Sequence, residues 1–173
     1  RLNIVRSPGR GATASSLVCY TLDLTTINPL EYGLHFEKLN PKEGLQYLDI
    51  QTDLPAMSRE LVLNEIQKEF HDSQLARVVI PLKKDEELMD QHLIHQSVAF
   101  KPHACAVVII QKGDRRLIER NGHYFMPILD YSSEITNIWH YRFNLLALTY
   151  LDPIQQFVNE RGMEYHPKNY PID

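Results

Sequence analysis

Between Leu17 and Leu24 the apolar residues Val18, Tyr20, Leu22 and Leu24 occupy the even positions, with Cys19, Thr21 and Asp23 between them. A period of two predicts a half-buried strand. The signal changes at Asn28, a capping residue followed by Pro29 and then Glu31, with Ile27 and Tyr32 spaced to meet as a hydrophobic staple. This pattern predicts a helix from Asn28 to about Leu39, where Asn40-Pro41 stops it. Leu45 to Gln51 alternates imperfectly and is read as a strand, with a short helix after Pro41 as the alternative.

Ser58 opens a second predicted helix, with Met57 and Val62 as its staple pair and Val62, Leu63, Ile66 and Phe70 as its apolar stripe. Val78, Val79 and Ile80 form a strand that Pro81 either confines to a sheet edge or ends. Asp85, Glu86 and Glu87 place negative charge at the start of a third helix that carries Met89, Leu93, Ile94 and Val98. The run from Ala104 to Ile110 has no polar residue and fits a strand buried on both faces. Lys112-Gly113-Asp114 and Asn121-Gly122 are turn signals, so residues 104 to 129 read as a three-stranded antiparallel meander. Pairing 111 with 115 and 120 with 123 would put Val107, Ile109, Leu117, Tyr124, Met126 and Ile128 on one face. Val108, Ile110, Ile118 and Phe125 would share the other with Arg116, Arg120 and His123.

After Asp130, Ser132 or Ser133 caps a long segment with Ile135, Ile138, Trp139, Phe143, Leu145, Leu146, Leu148 and Tyr150. Apolar residues surround it, which predicts a long buried helix. Asp152-Pro153 then restarts a short helix that ends at Gly162. The fold class expected is α+β: a mixed five- or six-stranded sheet ending in the meander and packed by helices. Residues 1–14 read as a mobile basic arm, 15–162 as one globular domain and 163–173 as an extended tail.

Composition narrows the partners. The 173 residues carry 18 Lys+Arg against 22 Asp+Glu, a net charge of −4, so there is no global basic footprint and nucleic acid is not the expected partner. The balance is uneven, because Arg1, Arg6 and Arg10 precede the first acidic residue, Asp23. No apolar run approaches the roughly 20 residues that span a bilayer. Cys19 and Cys105 stand far apart in apolar runs, which fits two reduced thiols and a cytoplasmic setting, although one long-range disulfide fits the count as well.

Chemistry-bearing residues are few. Arg116, Arg120, His123 and Phe125 share the mixed face of the predicted meander and form the candidate binding site. Asn121-Gly122-His123-Tyr124 resembles the histidine strand of papain-like and ovarian-tumour-type cysteine proteases. That resemblance implies His123 as general base, Cys19 as nucleophile and Asp130 as the group orienting the imidazole. Cys105 follows His103 by two positions, but the apolar run after it implies burial and an inert thiol. His92 and His95 have neither the HExxH nor the Glu-x-x-His spacing, so no metal ligands are assigned and no cofactor is expected. Gly9 and Gly11 around Arg10 lack the Gly-Lys-Ser/Thr ending of a phosphate loop.

The reading favoured by these observations is a non-enzymatic interaction domain, an adaptor, regulatory subunit or chaperone-like protein that binds another polypeptide. Small acidic α/β secretion chaperones share the general profile. A cysteine hydrolase built on Cys19 and His123 and a small-ligand sensor are the alternatives.

Overall fold

The computed structural model describes residues 2–35, 50–81, 100–127 and 141–166. It resolves into two compact units, residues 1–62 with 143–173, and residues 63–142. The predicted third helix with Asp85, His92 and His95, Asp130, and most of the strand predicted at 45–51 lie outside the described residues.

In the first unit Leu17–Thr21 is a short helix, α1, and not the expected strand. The reason is the cap: Ser16 Oγ accepts the Cys19 N–H at 3.2 Å, and this satisfies a backbone donor that a strand would pair elsewhere. Val18 and Leu22, four residues apart, consequently face solvent while Cys19 is buried. The start signal at Asn28 builds a turn. Asn28 Oδ1 accepts the Leu30 N–H at 3.1 Å, and the Leu34 N–H bonds back to the Pro29 carbonyl at 2.9 Å. Gly33 has φ +59, the left-handed conformation that ends a helical turn, so no helix runs on through His35.

Strand β1, Gln51–Pro55, runs parallel to β6, Tyr141–Leu148, with Gln51 opposite Asn144 and Asp53 opposite Leu146. The long helix expected across this region is thereby corrected from Tyr141 onward. A continuous apolar run such as Phe143–Leu148 has no periodicity that separates a buried strand from a buried helix. Beyond a single 3-10 turn at Thr149–Leu151, helix α3 covers Asp152–Glu160 as expected, with Pro153 in its first turn. It ends where Gly162 takes φ +59 and the Met163 N–H reaches the Val158 carbonyl. Val5, Leu151 and Val158 form one apolar cluster here, flanked by Leu148 and Tyr165.

Helix α2, Arg59–Glu69, follows a 3-10 turn at Ala56–Ser58 and buries Leu63. In the second unit the strands β2 (Ser73–Pro81), β3 (Phe100–Gln111), β4 (Ile118–Arg120) and β5 (His123–Pro127) lie in the order β3-β2-β5-β4. The expected meander is therefore wrong in its first step. Strand β2 inserts between β3 and β5, antiparallel to one and parallel to the other, and only the β4–β5 hairpin survives. Pro81 ends β2, which is an interior strand. Ala106 to Ile110 is fully buried, as an apolar run with both faces covered requires. Ala76, Val78, Ala106, Val108, Ile110 and Met126 make one core cluster with Leu117 and Tyr124 against it. Val108 and Ile110 thus share a face with Tyr124 and Met126, opposite to the assignment made on a β3–β4 pairing.

With both parallel and antiparallel pairing and six strands among the described residues, the class is α+β.

Candidate functional site

The hairpin places part of the predicted binding group together. Arg120 pairs with His123 and Ile118 with Phe125, so these four side chains share a face as expected. Arg120 and Phe125 line a cavity of about 140 Å³ with Val79, Phe100, Pro102 and Ile118, and the Arg120 guanidinium lies 6.0 Å from the Phe100 ring centre. His123 is exposed beside it. Arg116 is engaged elsewhere. Its Nε donates to Asp114 Oδ1 at 2.8 Å and its Nη2 to Asp114 Oδ2, and this fork holds the Asp114 carboxyl below its ordinary 3.8 against the opposing effect of burial.

Cys19 is buried in the first unit and His123 is exposed in the second, while Asp130 lies outside the described residues. Cys105 is half-buried, and its Sγ sits 3.6 Å from His103 Nδ1. That nitrogen accepts the Ala106 N–H at 3.0 Å and the Cys105 N–H at 3.3 Å. These bonds fall where the β2–β3 register jumps between Arg77 and Val79, so His103 serves a bulge in β3.

A buried polar cluster lies in the first unit, where residues 6–16 meet β1. Arg10 Nη1 donates to Asp53 Oδ1 at 3.2 Å, with the carboxylate side chain only 8% exposed. The Ser7 N–H bonds to the Asp53 carbonyl at 3.4 Å, and Thr13 Oγ1, fully buried, accepts the Gln51 N–H at 2.9 Å. Gln51 and Asp53 are two apart on one strand and share a face. Accordingly, the Gln51 amide lies at the α-carbon of Gly11, 3.4 Å from where a side chain there would begin, while Asp53 meets the neighbouring Arg10. Asn144, buried, is the register partner of Gln51. Arg10, Gln51 and Asp53 therefore form one centre on β1, and the register sets Asn144 of β6 beside Gln51.

The loop that supplies Arg10 is fixed by its own packing. A side chain on Gly9 would begin 2.3 Å from Thr25 Oγ1, which itself donates to the Pro8 carbonyl at 2.7 Å. The Thr26 N–H bonds to the same carbonyl at 2.6 Å. Further back, Gln155 Oε1 accepts the Val5 N–H at 2.8 Å and its Nε2 donates to the Asn3 carbonyl at 3.0 Å. Tyr165 Oη adds a bond to the Arg6 carbonyl at 2.8 Å.

Sequence reasoning passed over this centre. A signal was present in Asp53 beside Leu54-Pro55 and in Asn144, the one polar residue in the run from Phe143 to Leu148. A lone polar residue inside an apolar strand needs a buried partner.

The family model of the bacterial DNA polymerase III alpha NTPase domain matches residues 1–87, which carry the Arg10 loop, α1, β1, α2 and β2. The chain belongs to this family. Among curated relatives, DNA polymerase III subunit alpha of Thermotoga maritima is 26% identical over 176 residues, covering 92% of this chain. The corresponding subunits of Halalkalibacterium halodurans and Bacillus subtilis are 38% and 34% identical over 77 and 76 residues, each covering 44% of this chain. The chain spans 21% of the Thermotoga relative and 7% of each of the other two.

Membership in the polymerase III alpha family overturns the adaptor and chaperone reading, and with it the hydrolase and sensor alternatives. It also removes the ground for discounting nucleic acid. The net charge of −4 averages over a chain whose first 22 residues hold three arginines and no acid. No helix among the described residues is long and apolar enough to cross a membrane.

Proposed function

We propose that the first unit of this polymerase III alpha family chain binds phosphate groups of the reactants of DNA synthesis, those of a DNA strand or of a deoxynucleoside triphosphate, in the cytoplasm. The observation that carries the reading is the family match over residues 1–87, the stretch that holds the acid-free segment and the Arg10 centre. Arginine suits the role because its planar fork presents several N–H donors to phosphate oxygens. Arg10 keeps a side chain 46% exposed while one nitrogen holds Asp53, so the same guanidinium has donors left for a ligand.

Fluorescence anisotropy with a labelled primer–template duplex and with a labelled deoxynucleoside triphosphate tests the reading and separates the two phosphate sources. Binding that weakens steeply with salt is expected, with Arg6→Gln/Arg10→Gln lowering affinity about tenfold and flattening the salt slope by about 1–2. Circular dichroism checks that the variant stays folded. Absence of binding to both probes at low salt would sink the proposal.

A further inference from the structure

Transfer of a nucleotide by a polymerase uses a pair of divalent ions about 4 Å apart, clamped between the attacking and leaving oxygens. Hard cations of that kind are held by carboxylates, and two of them concentrate about four positive charges in one small volume. The centre at the β1–β6 pair does not match that demand. Among the described residues its acid is Asp53, and the Arg10 guanidinium already neutralises it at 3.2 Å. Gln51 and its register partner Asn144 are neutral amides. Among the described residues, no three His, Cys, Asp or Glu side chains converge to hold a metal.

We infer that this centre holds phosphate without divalent ions, with the Arg10 guanidinium standing on Asp53 in the place a cation would take. The inference deepens the phosphate-binding reading and rests on it. An amide differs from a carboxylate in the sense that matters here. It presents N–H donors as well as an oxygen, so it can turn a donor toward a phosphate oxygen that a carboxylate would repel. Amides at positions 51 and 144 therefore suit a site that binds phosphate directly and do not suit one that clamps paired cations. The chemical class of the ligand is a phosphodiester or triphosphate approached through the exposed side of the Arg10 guanidinium. Nucleotidyl transfer is not a reaction this donor set supports.

The test uses the full chain and a metal readout that does not depend on DNA. Free Mn²⁺ is followed by electron paramagnetic resonance during titration into wild-type protein and into Gln51→Asp/Asn144→Asp. The variant places acids at 51, 53 and 144 on one face. Wild type is expected to show no site tighter than about 1 mM, and the variant to bind at least about tenfold more tightly. In the anisotropy experiment, replacing Mg²⁺ by EDTA should leave wild-type affinity within about twofold. Two stoichiometric Mn²⁺ sites in wild type, or a tenfold loss of affinity in EDTA, would overturn the inference. Should wild type bind neither probe, the phosphate reading fails by itself, and the wild-type Mn²⁺ titration still decides whether the centre holds paired cations.

Discussion

The second unit is held together by Ala76, Val78, Ala106, Val108, Ile110 and Met126, none of them more than 2% exposed. The first unit buries polar residues as well as apolar ones: Thr13, Ser15, Thr25, Asp53, Asn144 and Gln155 lie inside it alongside Val5, Cys19, Leu54, Leu151 and Val158. Burial of apolar surface is non-directional and roughly proportional to area, so such a core resists small changes of angle and answers mainly to volume. Buried polar groups each need a placed partner, and removing one leaves the other desolvated and unpaired. The contrast suits a chain in which one unit provides mass and the other must present Arg10 and Asp53 in a fixed relation.

The comparison can be broken most severely in the apolar unit. Ile110→Ala should lower stability by about 3–4 kcal/mol, read from urea unfolding, because a fully buried site in a covered strand cannot collapse around the lost atoms. A loss below about 1 kcal/mol would show that the cluster is not the core of this unit. Gln155→Leu tests the polar unit. Volume is nearly kept, but the Val5 N–H and the Asn3 carbonyl lose their partner, so a loss of about 2 kcal/mol is expected, together with faster hydrogen exchange at Val5. A neutral result would show that water serves this segment as well as Gln155 does.

The smallest effect belongs to Asp114→Asn. Its fork to Arg116 is partly solvent-screened, and about 0.5 kcal/mol or less is expected at neutral pH. The hydrogen bond and charge of Arg116 depress the folded-state pKa of Asp114. The stabilisation is therefore complete above the ordinary value of 3.8 and is lost as pH falls through the lower folded value. Wild type and variant should converge in acid, and a gap that widens on acidification would reverse the assignment.

What could be read in the sequence follows the same division. Ala104 to Ile110, the Asn121-Gly122 turn and the Asp152-Pro153 restart were legible because each rests on local chemistry: an unbroken apolar run, a left-handed turn, a proline in the first turn. The insertion of β2 between β3 and β5 was not legible, since a hairpin-like spacing says nothing of a strand arriving from thirty or more residues upstream. At Leu17–Thr21 an even alternation met a Ser16 cap, and the cap prevailed. Of the candidate site, Arg120 and Phe125 were brought to one cavity, whereas the Arg10 centre depends on a pairing between residues 51 and 144 that no window of sequence contains.

That pairing has a consequence for the order in which the protein can be made. Gln51 leaves the ribosome about ninety residues before Asn144, and at roughly 5–20 residues per second the wait is roughly 5–20 s. The second unit is encoded entirely within that interval and can complete its ladder first, while β1 stands with an unmatched edge. The stretch that carries the family likeness is thus translated before its strand partner and completed only after it, and a chain released at residue 87 would lack both β6 and the Gln155 that fastens Asn3 and Val5.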